Sequence, residues 1–365
     1  MMKKVLDLIC VIMFFTLIVM FAFSTLFFSP EPVDMTKDTD EIDAQLFASF
    51  PLQGSWQTLR TSMLLAAGKT EIDGSFLVNG GVIRPSEQVS SKATDRLTGS
   101  INDFAARHED IGVYTCIIPS PSGIYSADLP SVGVGFDQKH YISELYSSFD
   151  SSVATLDAYS PLYSSRENYI FMRTDTSLTS GGAFDVYSSC IRKMGFSPRP
   201  YSDYDSEHAL TGYIGSLCNE LNIRQRITPD NIELLIPKNG TVVTSATGYG
   251  SGSKEKHKSV YDRSALSTDK PLDVFLYGSR YKKLDIATIN QDSPKLLIVK
   301  TEQTDPIIPF LISHYSFVTV IDADTASDVT LEDLVSAEQF DQVLFLFDID
   351  SLENLRMDIF LEEQE

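Results

Sequence analysis

Tyr169-Ile-Phe-Met-Arg-Thr-Asp-Thr-Ser-Leu-Thr-Ser-Gly-Gly-Ala-Phe184 is the stretch that decides the fold of this chain. Tyr169 to Met172 is an apolar run and reads as a short strand. A polar loop follows, carrying Arg173, Asp175 and Ser177. From Ser180 a helix is expected to Met194, stopped by Gly195 and Pro198. Strand, loop and helix in that order make the repeating unit of an α/β sheet. In a parallel sheet of that kind the working residues sit on loops at the carboxyl ends of the strands.

The same rhythm extends in both directions. Gly74, Gly80 and Gly81 bracket Phe76-Leu-Val and predict two short strands with a tight turn. Val89, Ala93, Leu97, Ile101 and Phe104 recur near helical spacing within a helix over 86–107. A buried strand is expected over 111–118, a helix over 139–149 and a strand over 153–158. Residues 201–284 read as β-rich, interrupted by Gly248 to Lys258 as a mobile, locally basic loop. Three buried strands, 295–300, 317–322 and 343–347, enclose helical stretches over 307–313 and 331–337. Such alternation predicts a mostly parallel sheet with crossovers on both faces.

The N-terminus bears on location. Lys3 and Lys4 precede Leu8 to Phe28, 21 residues without a charge. At ~1.5 Å per residue a helix of that length crosses a ~30 Å hydrocarbon core. The flanking charge places the N-terminus in the cytoplasm and the rest outside, at the cell membrane. A cleaved signal peptide is the alternative, with Ala22-Phe-Ser24 as its cleavage site. The organisation expected is an anchor over 1–28, a stalk over 29–60, the α/β domain over 61–350 and an acidic tail over 351–365. A net charge of −21 argues against nucleic acid and anionic lipid as partners. Cysteine is sparse. Cys10 lies in the span, Cys116 in an apolar run, and Cys190–Cys218 is the one pairing to consider.

Three loops carry a resemblance to the DHHW family, bacterial extracytoplasmic proteins with an SGNH-hydrolase-like fold. The first is the opening stretch, where members typically read Tyr-Tyr-Arg-Thr-Asp-His-His-Trp-Thr-Ser-Leu-Gly-Ala-Tyr. This chain keeps Arg173, Thr174, Asp175, Thr179, Gly182 and Ala183, with Ser177 at the base position and Leu178 for the Trp. The second is Leu297 to Tyr315, similar to a block reading Lys-Asp-Ser-Tyr-Ala-Asn-Ser-Phe-Ile-Pro-Phe-Leu and then His-Tyr. Lys300, Pro309, Phe310, Leu311, His314 and Tyr315 match. The family's nucleophilic Ser falls at Glu302, its neighbouring Asp at Thr301 and its Asn at Asp305. The third, Phe275-Leu-Tyr-Gly-Ser-Arg280, is similar to a Gly-Gly-Asn-His segment. Gly278 matches, while Ser279 and Arg280 replace the Asn and His. The resemblance spans roughly residues 65–350. It implies a three-layer α/β domain and a place beside membrane-bound O-acyltransferases that acetylate surface polysaccharide, as in alginate acetylation.

Nucleophilic catalysis needs a hydroxyl, an adjacent base and an orienting group. Here nucleophile and base positions are replaced together. The expectation is a non-catalytic binding or scaffolding component, with Arg173, Arg280 and Lys300 as cleft-binding cations. A membrane-bound O-acyltransferase or an envelope glycan is the expected partner. The alternative is an active O-acetyltransferase or esterase with a displaced nucleophile, Thr301, Ser177 or Ser279. His314 is expected to pack rather than react. Asp175, Glu302 and Asp305 would make the cleft acidic, and no cofactor or metal is expected.

Overall fold

The computed structural model describes residues 2–27, 42, 45, 52–130, 135–240, 242–250, 254–326, 329–356 and 360. The expected stalk and acidic tail lie largely outside these residues. The chain divides into two compact units, residues 1–69 with 219–225, and residues 70–218 with 226–365.

In the first unit α1 runs Met2–Phe27. Its window Asp7–Ser24 is long and apolar enough to cross a membrane and none of it is buried in the protein. A signal sequence would look the same. The second helix, α2, runs Gln53–Ala66. It is tied to the 219–225 segment where Thr61 Oγ1 donates to the Leu221 carbonyl (3.2 Å) and Asn222 Nδ2 donates to Gln57 Oε1 (3.0 Å).

The larger unit is built on an eight-stranded sheet. Its strands, in chain order, are β4 (Gly112–Ile118), β5 (Val153–Leu156), β8 (Val243–Tyr249), β9 (Lys254–His257), β10 (Lys283–Thr288), β11 (Lys295–Lys300), β12 (Phe317–Asp322) and β13 (Gln342–Asp348). They lie in the order β5-β4-β13-β11-β12-β10-β8-β9. Pairing from β5 through β12 is parallel, and from β12 to β9 antiparallel. The central strands are near-continuous apolar runs because both faces are covered. Along β13, Val343, Phe345 and Phe347 enter one core while Leu344 and Leu346 enter the other. The first core is covered by α3 (Ser91–Arg107), α4 (Gln138–Ser147) and α6 (Leu331–Ala337), the second by α5 (Ser180–Lys193) and the short turns of 302–314. This is the three-layer α/β architecture that the alternation implies. Three residues from the helical pattern over 86–107, Leu97, Ile101 and Phe104, are at most 2 % exposed, and Ser90 caps α3 by accepting from the Ala93 amide.

Two smaller sheets complete the unit: a meander of β1 (Glu71–Ile72), β2 (Ser75–Val78) and β3 (Gly81–Ile83), and an antiparallel ribbon of β6 (Tyr204–Tyr213) and β7 (Asp230–Pro237).

Four expectations need correction. Tyr169 to Met172 joins no sheet; Phe171 only bridges to Leu178. The chain doubles back at once, so Met172 N donates to the Ser177 carbonyl (2.9 Å) and Thr179 N to the Ile170 carbonyl (2.9 Å). The run is apolar because its side chains fill the cores beside α5 and the ribbon. The Gly248–Lys258 stretch is mostly a hairpin of β8 and β9, with 251–253 outside the described residues. Past Asp350 the chain is not simply solvated: Leu352 and Leu355 are buried and Glu353 accepts from Ser90. Cys190 sits against Cys116 (Sγ–Sγ 3.5 Å), not Cys218, and none of the four cysteines is in a disulfide. A disulfide needs about 2.05 Å. Protein denatured without reductant should therefore react with four equivalents of a maleimide; fewer, restored by reductant, would reveal a disulfide.

Candidate functional site

The parallel strands end on one edge, and β11, β12 and β13 end there in Lys300, Asp322 and Asp348. Lys300 is 2 % exposed, with its Nζ 2.7 Å from both Asp305 and Asp322. One cation thus serves two buried carboxylates. Burial, left short of compensating charge, pushes Asp305 up to about 7. Asp322 Oδ1 also accepts the amides of Asp324 and Thr325, closing the turn after β12. The arrangement knits the end of β11 to the end of β12 and to the 302–307 turn. It leaves Lys300 no open face toward a ligand.

Thr301 is fully buried, and its hydroxyl accepts from the Asp348 amide (3.0 Å). Glu302 beside it is exposed. Its charge helps raise Asp273, Asp305 and Asp324, the last to about 6, although burial is the larger cause in each. Gln303 reaches the first loop, where Ser177 Oγ donates to its Oε1 (2.7 Å). The residue at the base position therefore touches the neighbour of the residue at the nucleophile position. The two loops converge, as the resemblance implies, but through an amide–hydroxyl contact with no titrating partner.

The first loop is shaped by two carboxylates. Asp175 is 4 % exposed; its Oδ2 accepts from the amide (2.8 Å) and hydroxyl (2.9 Å) of Ser216 and from Tyr213 (3.2 Å). Asp230, which no sequence pattern singles out, is wholly buried at the start of β7. Its Oδ1 accepts from Tyr169 (2.6 Å) and the Arg173 amide (2.8 Å), and its Oδ2 from the amide and hydroxyl of Thr174. Gly182 is required where α5 crosses the loop, since a Cβ there would lie 2.2 Å from the Ile170 carbonyl oxygen.

The third loop holds Leu276, Tyr277 and Gly278, all at positive φ (52°, 70° and 54°). Left-handed backbone at two non-glycine residues costs on the order of 1–3 kcal/mol each. Burial of both side chains offsets it, with Leu276 N donating to Val260 (2.9 Å) and the Tyr277 hydroxyl to Ser259 (2.8 Å). A Cβ on Gly278 would lie 2.4 Å from Asp273 Oδ1. Ser279 is exposed. Arg280 is held at the surface by Glu255 (2.7 Å). Arg173 lies with Tyr169, its guanidinium 4.1 Å from that ring centroid and only distantly paired with Asp230 (4.0 Å). Asp175, Glu302 and Asp305 are thus spent on different roles. Among the described residues no group of three or more His, Cys, Asp or Glu is placed to hold a metal ion. His314 donates to or accepts from Tyr187 (2.7 Å) in the core, and burial lowers it to about 4.

The family described as "DHHW protein" matches residues 58–321. The chain belongs to the DHHW family. No curated protein sequence matches it. A solved DHHW family protein from Eubacterium siraeum is 19 % identical, with a TM-score of 0.63 over 77 % of this chain and 90 % of that one. PatB1 of Bacillus cereus, solved with a sulfonyl adduct, is 15 % identical, with a TM-score of 0.67 over 81 % of this chain and 100 % of that one. The O-acetyltransferase domain of Pseudomonas putida AlgJ is 13 % identical, with a TM-score of 0.46 over 80 % of this chain and 96 % of that one. The first two likenesses establish the shared SGNH-like fold.

Two measurements test this description. Lys300→Met leaves two buried carboxylates facing each other and should cost about 3–5 kcal/mol in denaturant unfolding, whereas Glu302→Gln should fall within about 0.5 kcal/mol. His314 is lowered in the folded chain, so its contribution is intact above its unfolded pKa and lost as pH falls from about 6.5 towards 4. Wild type should therefore lose stability over that window relative to His314→Gln, and parallel curves would contradict it.

Proposed function

We propose that this chain is a membrane-anchored, extracytoplasmic DHHW protein that acts without catalysis, as a binding or scaffolding component of cell-surface polysaccharide O-acetylation. The family supplies the setting, and the site supplies the departure from it. A single observation carries the reading. The nucleophile position is an exposed carboxylate, Glu302, and the base position is a hydroxyl, Ser177, committed to Gln303.

The replacements act as a unit. A hydroxyl nucleophile without a base has little rate to offer, and triad members are strongly non-additive. Thr301 is no substitute, because it is sealed under the sheet edge and already accepts from Asp348. Ser279 is exposed, and the nearest charged neighbour along the chain, Arg280, is a donor that cannot take its proton. Negative charge gathered about Glu302 also opposes the negative charge that an acyl-transfer transition state develops.

The Bacillus cereus neighbour was solved with a sulfonyl adduct. Full-length protein treated with a sulfonyl fluoride should keep its intact mass. An adduct mapped to Ser279, Ser177 or Thr301 would favour the displaced-nucleophile enzyme instead. In cells, deleting the gene should lower the O-acetyl content of the envelope polysaccharide, and a Glu302→Gln, Ser177→Ala double variant should restore it in full. Failure of deletion to alter O-acetylation would overturn the scaffolding reading, and failure of that variant to complement would overturn its non-catalytic part.

A further inference from the structure

A cavity of about 270 Å³ opens beside the first loop, and Ser177, Ser279, Glu302 and Gln303 are not among its walls. Tyr125, Tyr169 and Phe171 give it aromatic surface, and Arg173, Asn79 and Asp128 give it polar groups. Its position is fixed by three elements. The turn after β4 brings Tyr125, the segment ahead of the loop brings Tyr169 to Arg173, and the β2–β3 meander brings Asn79. Val82 N donates to the Arg173 carbonyl (2.8 Å), clamping the meander onto that segment.

The polar groups are held ready. Arg173 lies over Tyr169, and its guanidinium forms no hydrogen bond among the described residues, although its amide is fixed by Asp230. The Tyr125 hydroxyl likewise has no hydrogen-bond partner among the described residues; its ring meets Phe171 edge-on at 6.2 Å. Burial, with Asp128 and Glu167 close by, holds that phenol protonated, so it remains a donor. Asn79 is at φ 50°, a backbone that Asn and Gly tolerate best, and presents both an amide donor and an acceptor.

This combination limits the ligand. An apolar molecule would strand the donors, at a cost for each. An anion would meet Asp128 and Glu167 on a chain of net charge −21. Charges at the rim balance, Arg166 and Arg173 against Asp128 and Glu167. A neutral ring with many hydroxyls fits all three conditions: its C–H face lies on aromatic carbon, and each hydroxyl both donates and accepts. The volume sits just below the usual small-molecule range of about 300–1,000 Å³ and fits one ring rather than a chain.

We infer that this pocket binds a single neutral hexopyranose unit, stacked on Tyr125 with Phe171 edge-on beneath that ring, and hydrogen-bonded by Arg173, Tyr125, Asn79 and Asp128. The inference rests on the glycan-associated role proposed above and gives it a site. The test is saturation-transfer NMR on full-length protein in a detergent without sugar headgroups. The probes are methyl glucopyranoside, methyl galactopyranoside and the anionic methyl glucuronide. At least one neutral pyranoside should show saturable transfer to its ring C–H protons and bind more tightly than the glucuronide. Tyr125→Phe, Arg173→Gln and Asn79→Gly should each weaken it about tenfold, roughly one hydrogen bond. Asn79→Gly keeps the positive φ, so its loss of binding reads out the side chain and not the fold. No transfer from either neutral sugar, a preference for the glucuronide, or unchanged binding in all three variants would overturn the proposal. If sugar binds while gene deletion leaves O-acetylation unchanged, the pocket stands and the scaffolding role falls. If deletion lowers O-acetylation and no sugar binds, the role stands and the pocket falls.

Discussion

The carboxylate of Asp230 accepts hydrogen bonds from Tyr169, from two successive backbone amides and from the Thr174 hydroxyl, and it does so with no exposure to solvent. A buried anion is tolerated only when its lone pairs are matched in this way. Because the donors belong to the segment ahead of α5 and the acceptor to β7, the pairing ties the ribbon to that segment. It also sets the direction of Arg173, whose amide it holds, and the ring of Tyr169, on which that guanidinium rests. Below it, Asp175 repeats the device towards Ser216. The first loop is a joint made by carboxylates working as acceptors.

What the residues at these loop positions do in the fold follows from their partners. Ser177 and Gln303 fill the space between the two loops with a neutral hydrogen bond, which needs no particular pH and moves no proton. Lys300 shares its charge between Asp305 and Asp322 and so braces strand ends. Lys300, Gly182 and Gly278, kept in this chain, are therefore explained by folding alone. Gly182 admits the Ile170 carbonyl and Gly278 admits the Asp273 carboxylate, whatever chemistry the edge performs.

Much of the fold was legible from the sequence because its central strands are buried on both faces. Leu296 to Val299 and Val343 to Phe347 are unbroken apolar runs, and the α3 stripe repeats at helical spacing. Tyr169 to Met172 misled for the same reason: burial makes a run apolar whether or not it joins a ladder. The site was legible where residues adjacent in sequence act together, as in 175–177 and 300–305. Asp230 was not, because it meets its donors across 56 residues or more and an isolated Asp carries no pattern. Gln303 was passed over beside Glu302, since an amide is not a group one seeks in a catalytic motif.

Among the described residues the sheet ends on one side at β9, whose backbone has a partner on only one flank. Such an edge is a template for a neighbouring molecule's strand, and lysine placed along it deters that pairing. Lys254 and Lys256 lie on β9, and Lys254 and Lys283 both approach the Tyr249 ring at 4.9 Å, which draws positive charge around the rim. On a chain that is acidic overall, this local reversal of sign does not serve solubility in bulk. Lysine so placed opposes strand addition by a second copy, which would matter most where copies are crowded side by side.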